Sequence, residues 1–320
     1  MNKNTTFLLA VVVLSLPFWV GVNALQEITE DFFYTAQLAG VPPIELTTAV
    51  LTANIATLLP KYPEYYSELK EYEIQAESAV SIEIDKDGNE NILFEKNSSE
   101  ELPIASLTKL ITAVVALEFY KETEQITISK DAVGQLAKTG FLKQGEVLSL
   151  DNTLHSMLIE SSNDAAYAIT ELVGKDGFVD LMNIFSHDIG MNNSYFYNPN
   201  GLDPDDLDMQ ENEINHSTVL DLTKLSKYLL KKYPQIFEIS SKENYNIYLE
   251  NGGFHHTVYN TNSLIWELDN IIGSKTGLTD RAGGCLLTIL ENKDSIIINI
   301  VLNSKDRFND MRKLIMNAFE

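Results

Sequence analysis

The sequence predicts an α/β fold in which one sheet is assembled from distant segments and a helical subdomain is inserted between them. Segments with the pattern of β-strands lie near residue 80 and again after residue 269, and the segments between them have mainly helical periodicity. The chain has 320 residues, of which 44% are hydrophobic and 9% aromatic. That composition supplies a sizeable core and argues against wholesale disorder.

The first strands are predicted to form a β-hairpin. Residues 79–84 alternate apolar and polar side chains, Asp87-Gly88 supplies a turn, and residues 91–95 form the return strand. Later strands are predicted at 244–249, 269–275, 283–290 and 295–302. Strands at both ends of this region would therefore meet in one sheet.

The helical segments begin near Ser106, where an apolar run continues to about Lys121. Asp151 is predicted to cap a second helix through Gly174, with an interruption at residues 161–164. Further helices are predicted at 176–189, at 217–232 with Ser217 as its cap, and at 305–319.

The charge balance excludes one class of partner. Lys and Arg total 23 against 46 Asp and Glu, which gives a net charge of −23. Binding to nucleic acid needs a basic surface that neutralises phosphates, so we expect no nucleic acid partner. The single cysteine, Cys285, excludes an intramolecular disulfide and a cysteine-based metal cluster.

The N-terminus carries an export signal of one of two kinds. Residues 4–26 form an uncharged run preceded by Lys3 and followed by acidic residues, which places the N-terminus on the cytoplasmic side. The run is long enough for a membrane anchor, which needs about 20 apolar residues. Val22-Asn23-Ala24 also fits a signal-peptidase site. Both remain open, and in either case the rest of the chain is exported, to the outer face of the cytoplasmic membrane or in secreted or periplasmic form.

The domain division follows from that run. Residues 1–26 form the signal peptide or anchor, and 27–77 form an additional helical or linker segment. Residues 78–320 form the main domain.

Ser106 and Lys109 are the first candidates for chemistry. Residues three apart at the start of a helix lie on one face, so the lysine amine lies next to the serine hydroxyl. Serine is a weak nucleophile that needs an adjacent base, and a lysine serves as that base only when burial or nearby positive charge keeps it neutral. Ser67 and Lys70 have the same spacing in a polar, tyrosine-rich stretch, and we interpret that pair as accidental.

Ser161 and Asn163 supply the second candidate group. Small polar residues at 161–164 interrupt an apolar helical stripe, and such residues form local hydrogen bonds in place of extending the helix. The break would leave a hydroxyl and an amide available to a site.

Lys275, Thr276 and Gly277 form the third group, at the end of a predicted strand. The ammonium and hydroxyl groups suit a carboxylate, the glycine leaves access to the backbone, and neighbouring N–H groups suit an oxyanion. The same triplet at 138–140 lies in a glycine-rich loop without a preceding strand.

The three groups occur in the order Ser-x-x-Lys, Ser-x-Asn and Lys-Thr-Gly, which is the signature of class A β-lactamases and penicillin-binding proteins. Over roughly residues 78–305 the chain resembles the D-alanyl-D-alanine carboxypeptidase (S11) family. The similar segments are 105–109, 158–166, 198–202, Asn260-Thr261-Asn262, 273–279 and Ala282-Gly283.

The resemblance implies a β-lactamase/transpeptidase-like fold, with a mainly antiparallel sheet flanked by helices. It also implies serine acyl transfer that removes the terminal D-alanine from D-Ala-D-Ala stem peptides of peptidoglycan, with β-lactams as covalent inhibitors. By position, Ser106 would be the nucleophile, Lys109 its base, and Ser161 the relay of a proton to the leaving D-alanine. No metal or other cofactor is implied.

The remaining motif positions would bind the substrate. Asn163 would hold its backbone amide, Lys275 would supply positive field, and Thr276 would bind the terminal carboxylate. Gly277 would leave room for the substrate backbone, and the N–H of Leu278 would join that of the nucleophile in the oxyanion hole.

Three alternatives remain. The same residues would serve a DD-endopeptidase that cuts crosslinks. A class A β-lactamase would need a deacylating Glu in a Glu-x-x-x-Asn pattern, which Glu211 and Asn215 match superficially. A non-enzymatic module that senses penicillin or binds the wall is the third.

The pair His255-His256 lacks a further ligand at suitable spacing, so a loop or strand pair is favoured over a zinc site.

Overall fold

A five-stranded antiparallel sheet forms the centre of the main domain, with the strand order β2-β1-β11-β10-β9. Its strands are β1 (Ser78–Asp85), β2 (Glu90–Lys96), β9 (Ile271–Thr279), β10 (Gly283–Asn292) and β11 (Ser295–Ser304). The computed structural model describes residues 73–136, 141–204, 210 and 212–318. The prediction that distant segments meet in one sheet is confirmed, because β1 pairs with β11 along its whole length.

The N-terminal predictions lie mostly outside the described residues. This applies to 1–26, to most of 27–77, to the pair Ser67 and Lys70, and to the second Lys-Thr-Gly triplet at 138–140. Among the described helices, none is both long and apolar enough to span a bilayer.

The two faces of the sheet bury separate cores, because successive side chains of a strand point to opposite faces. On one face, Ile289 and Ile298 join the larger core beneath the inserted helices. On the other, Leu286 and Ile297 pack with the C-terminal helix α7 (Arg307–Asn317).

The helices between β2 and β9 form the inserted part of the domain. In chain order they are α1 (Lys109–Phe119), α2 (Leu150–Ile159), α3 (Asn163–Thr170), α4 (Lys175–Asp188), α5 (Val219–Lys232) and α6 (Gln235–Ser240). Helix α1 is buried on all sides from Lys109 to Ala116, as expected for a helix that is apolar all round. Short 3-10 helices occupy Ala105–Thr108, which we call η1, and Ser263–Trp266.

Short two-stranded sheets complete this region. They are β3 (Leu102–Pro103) with β6 (His216–Ser217), β4 (Gln125–Thr127) with β5 (Val147–Ser149), and β7 (Asn244–Tyr248) with β8 (Phe254–Tyr259). The predicted strand 244–249 therefore does not join the main sheet. It forms a hairpin with β8, which the sequence reasoning missed, and packs on α2.

Three predicted boundaries were wrong. Helix α2 is capped by Ser149 and not by Asp151, because the Ser149 hydroxyl accepts the N–H of Asn152. Helix α5 is capped by Thr218, since Ser217 is already paired in β6. The strand predicted to end at Lys275 continues to Thr279, because β10 pairs with it that far.

Candidate active site

Ser106 lies in η1, directly before the buried helix α1. In a 3-10 helix residues i and i+3 eclipse one another, which brings the Lys109 Nζ to 2.7 Å from the Ser106 Oγ. Ser106 is partly exposed, whereas its neighbours Ala105 and Leu107 are buried. The turn begins at Ala105 with a φ of +46°, a strained left-handed conformation for a residue with a side chain.

The strained turn is held by a glycine from a distant loop. Gly201 has a φ of +81°, and a Cβ built there would lie 2.0 Å from the carbonyl oxygen of Ala105. Only a residue without a side chain permits this approach. The loop in turn delivers the carbonyl of Asn200 to Lys109.

Lys109 is fully buried, and its amine contacts three oxygens. Besides the Ser106 Oγ, its Nζ lies 2.8 Å from Asn163 Oδ1 and 2.8 Å from the carbonyl oxygen of Asn200. Burial, and secondarily the charge of Lys275, lower the pKa of Lys109 well below its usual 10.5. An amine whose pKa is lowered in this way gives up its proton more readily than an ordinary lysine and can serve as a base.

The predicted break around Ser161 separates α2 from α3. Ser161 has a φ of +65°, and Ser162 caps α3 by accepting the N–H of Ala165. The Ser161 Oγ accepts a hydrogen bond of 2.8 Å from the Nζ of Lys275. Two neighbouring side chains of this break, Ser161 and Asn163, therefore contact the two different lysines.

Lys275 lies on β9, the edge strand of the main sheet, with 1% of its surface exposed. Burial, with the charge of Arg307 as the second cause, lowers the pKa of Lys275 to about 7. Gly277 then brings β9 against the nucleophile, because a Cβ there would lie 3.1 Å from the backbone nitrogen of Ser106. Leu278 follows with its side chain 65% exposed at the rim.

Two residues at this strand were missed by sequence reasoning. The Thr261 Oγ1 lies 2.6 Å from the Thr276 Oγ1, and the Arg307 Nη1 donates to the carbonyl oxygen of Gly277. Thr261 lies in the Asn260-Thr261-Asn262 segment, which was quoted only for its resemblance. No sequence signal marks Arg307, because its part in the site depends on α7 packing beneath the sheet.

Asn215, the second residue of the Glu-x-x-x-Asn pattern, has a structural setting. Its amide donates to the carbonyl of Asn198 and to the Thr108 hydroxyl, and its oxygen accepts the N–H of Tyr197. It thereby ties the 198–201 loop to η1. Glu211 lies outside the described residues.

His255 and His256 lie in β8, each beside a carboxylate. The His255 Nε2 is 3.0 Å from Glu146 Oε2, and the His256 Nε2 is 3.2 Å from Glu160 Oε1. In the part of the chain that the structure describes, no cluster of three or more His, Cys, Asp or Glu side chains could hold a metal ion.

All eight predicted site residues are described, and the structure brings them together. Ser106, Lys109 and Asn163 share one hydrogen-bonded group, and Ser161 and Lys275 share a second. Thr276, Gly277 and Leu278 line the adjoining strand. The arrangement supplies a nucleophile, an amine base, a second hydroxyl and a cationic strand edge, which together suit acyl transfer to a substrate bearing a carboxylate.

Comparison with known proteins identifies the family. The model of the peptidase S11 family, described as D-alanyl-D-alanine carboxypeptidase, matches residues 65–306. The D-alanyl-D-alanine carboxypeptidase DacC of Escherichia coli is 31% identical over 246 residues, which are 71% of this chain and 58% of DacC. A D-alanyl-D-alanine endopeptidase of Haemophilus influenzae is 32% identical, over 68% of this chain and 73% of its own length.

A solved structure has the same fold. Penicillin-binding protein D2 of Listeria monocytogenes, in its ampicillin-bound form, superimposes with a TM-score of 0.65 at 27% identity. The match covers 79% of this chain and 100% of that one, and it confirms the predicted β-lactamase/transpeptidase-like fold. The chain spans less than two thirds of the first carboxypeptidases that it matches, 58% and 62% of their lengths. On the family match, this chain belongs to the peptidase S11 family.

Proposed function

We propose that the chain is a serine-type D-alanyl-D-alanine carboxypeptidase that removes the terminal D-alanine from peptidoglycan stem peptides. The observation that carries this proposal is the bonding of Lys109. Two of its three partners, Asn163 Oδ1 and the Asn200 carbonyl, can only accept a hydrogen, whereas the third, the Ser106 hydroxyl, can also donate one. A charged amine would donate to all three oxygens, but burial and the nearby charge of Lys275 lower the pKa of Lys109 and favour its neutral form. A neutral amine has two N–H groups for the two carbonyl oxygens and one lone pair for the Ser106 hydroxyl.

In the acylation step, Ser106 Oγ forms a bond to the carbonyl carbon of the penultimate D-alanine, and its proton passes to Lys109. The oxyanion accepts hydrogen bonds from the N–H groups of Ser106 and Leu278. The carbonyl of Gly277 is turned toward Arg307, and in a trans peptide the N–H of Leu278 points the opposite way, which supports its place in this hole.

Collapse of the intermediate breaks the bond to the terminal D-alanine. The proton that Lys109 took from Ser106 passes to Ser161 as Ser161 gives its own proton to the leaving amine, so Lys109 is neutral again. The contact of Ser161 with Lys275 supports this role, because the Lys275 cation donates to the serine oxygen. Water then attacks the acyl-enzyme with Lys109 again as base, which releases the shortened peptide and restores Ser106.

The substrate's terminal carboxylate binds at Lys275 and Thr276, which supply a cation and a hydroxyl donor. Asn163 holds the peptide backbone. Its Nδ2 donates to the carbonyl of Leu136 at 3.0 Å, a bond that a substrate carbonyl would replace. The names of the relatives support this substrate class, since DacC and its relatives are called D-alanyl-D-alanine carboxypeptidases.

The test is to incubate purified muropeptides with the full chain and to measure their masses. Loss of one terminal D-alanine is expected from the wild type and from Ser241→Ala, a serine at the end of α6 whose hydroxyl donates to the carbonyl of Glu238 in the same helix. Ser106→Ala should give no product and no covalent labelling by a fluorescent penicillin. Labelling that survives Ser106→Ala would show that another residue is the nucleophile.

A second candidate is a DD-endopeptidase, favoured by the Haemophilus influenzae relative, of which this chain covers 73%. The same incubation distinguishes the two, because halving of crosslinked dimers indicates an endopeptidase. A β-lactamase would instead hydrolyse a chromogenic cephalosporin at many turnovers per second.

We further propose that the domain acts outside the cytoplasmic membrane, where peptidoglycan lies. The support is the uncharged run at 4–26, which either anchors the chain or is cleaved after Ala24. N-terminal sequencing of protein from whole cells distinguishes the two, since a cleaved chain begins at Leu25 and an anchored one at or near Met1.

A further inference from the structure

Thr261 contacts two parts of the site, the segment that leads to Ser161 and the strand β9. Its N–H donates to the carbonyl oxygen of Ile159 at 3.2 Å, at the end of α2 and two residues before Ser161. Its side-chain Oγ1 lies 2.6 Å from the Oγ1 of Thr276 on β9. Thr261 therefore joins the Ser161 turn to the strand edge, in addition to the hydrogen bond between Lys275 and Ser161.

The backbone on each side of Thr261 is held rigidly. Asn260 donates through its amide to the carbonyls of Ser240 and Lys242, each at 2.9 Å, and its oxygen accepts the N–H of Asn262. The fully buried Asn262 accepts the N–H of Leu264. With both neighbours fixed, the Thr261 hydroxyl is presented to Thr276 in one position.

The direction of the hydrogen bond between the two hydroxyls has a chemical consequence. A hydroxyl has one hydrogen to donate and lone pairs to accept. If Thr276 gave its hydrogen to Thr261, it would present only lone pairs to an anion, which is repulsive. If Thr261 donates to Thr276, the hydrogen of Thr276 is left to point into the groove.

We propose that Thr261 is a positioning residue, whose hydroxyl donates to Thr276 and thereby aims the Thr276 hydrogen at the carboxylate of the substrate. The inference rests on the proposed function, because it assigns a carboxylate to that part of the groove. It predicts that Thr261 matters for substrates that carry the carboxylate and not for acylation as such.

The test compares two substrates with the full chain. One is a stem peptide that ends in D-Ala-D-Ala, and the other is the p-nitrophenyl ester of N-acetyl-D-alanine, which carries no carboxylate. With the ester, Ser106 Oγ forms the new bond to the carbonyl carbon as the bond to p-nitrophenolate breaks. Thr261→Val keeps the shape and the N–H of the residue but removes the hydroxyl, and Thr261→Ser restores it.

Thr261→Val should lower kcat/KM for the peptide about 10- to 100-fold, the range for a lost hydrogen bond to a charged group. The ester should change by less than about twofold, and Thr261→Ser should recover most of the peptide activity. Thr257→Val is the matched control, because Thr257 lies in β8 and bonds Asn246 on the neighbouring strand at 2.8 Å. It should match the wild type on both substrates.

Three results would overturn the inference. Equal peptide activity in Thr261→Val and the wild type would show that the hydroxyl positions nothing. Equal loss on both substrates would show a structural role for the hydroxyl in place of one in carboxylate recognition. A wild-type chain acylated by neither substrate would overturn the proposed function itself, together with this inference.

Discussion

Two groups of buried basic side chains lie in the inserted part of the domain and along β9, and they differ in their partners. His255 and His256 each face a carboxylate, of Glu146 and Glu160. Lys109 and Lys275 have at most 1% of their surface exposed, and within the described ranges neither forms a salt bridge.

The difference distinguishes buried basic groups that stabilise the structure, which have a carboxylate partner, from those suited to chemistry, which have none. A buried cation without an anion loses its hydration and gains no compensating charge, so its pKa falls. That cost suits Lys109 to its proposed role as a base. Glu160, in contrast, accepts a hydrogen bond from the Ser156 hydroxyl and lies beside His256, so it stabilises the end of α2 just before Ser161.

The largest expected effect comes from removing the base. Lys109→Met should lower the rate of acylation by penicillin about 10³-fold, within the range for loss of a general base. The fold should survive, because a buried amine is replaced by an apolar chain of similar length. Stopped-flow or gel-based labelling measures the rate, and thermal unfolding checks the fold. Labelling within tenfold of the wild type would remove Lys109 from the mechanism.

A carboxylate introduced beside Lys109 should give this lysine the kind of partner that His255 and His256 already have. Asn163→Asp places an anion 2.8 Å from the Lys109 Nζ, which should raise the pKa of Lys109 because the carboxylate stabilises the ammonium form. Acylation at pH 7 should then fall about 100-fold, and part of the loss should be recovered at higher pH. Asn246→Asp, an exposed residue on β7, is the matched control. A pH-independent loss would show that the amide, and not the charge, is what Asn163 contributes.

The dependence of kcat/KM on pH should reflect the protonation of both Lys109 and Lys275. The neutral form of Lys109 is needed as base, so kcat/KM should rise with pH until that amine, whose pKa lies well below 10.5, has lost its proton. Lys275 must be charged, and since its pKa is lowered to about 7, kcat/KM for a peptide with a free carboxylate should decline above about pH 7. Beyond that point the slope is about tenfold per pH unit.

A substrate without a carboxylate distinguishes the rise of kcat/KM with pH, which depends on Lys109, from the decline, which depends on Lys275. The p-nitrophenyl ester should show the rise but not the decline, because it has no carboxylate for Lys275 to bind and its p-nitrophenolate leaves without a proton from Ser161. A decline of equal steepness with the ester would mean that Lys275 acts on the reacting centre instead.

The smallest effect is expected in the histidine group. Glu160→Gln keeps an acceptor for Ser156 but removes the charge beside His256, and should lower the free energy of unfolding by about 1–2 kcal/mol. Acylation should change by less than about threefold, because the amide oxygen still accepts the hydrogen bond from Ser156. Urea unfolding at pH 7 measures the stability, and a 100-fold loss of acylation would place Glu160 in the reaction.

The sequence by itself determined the local parts of the site. Ser106 and Lys109 are three residues apart in a single turn, so their contact follows from helical geometry. The break at 161–163 also follows from its residue types, because small polar side chains cap α3 in place of continuing α2. The order of the three motifs was sufficient for the family.

Only the tertiary structure decided what surrounds these groups. Lys109 meets Asn163 and Asn200 across 54 and 91 residues of sequence, and Lys275 meets Ser161 across 114. Burial and the sum of neighbouring charges set the pKa values, and both depend on packing between segments that no local pattern records. The sequence supplied a serine and a lysine at the right spacing. The fold buries that lysine and, among the described residues, places no carboxylate in contact with its amine, which suits the proposed role as a base.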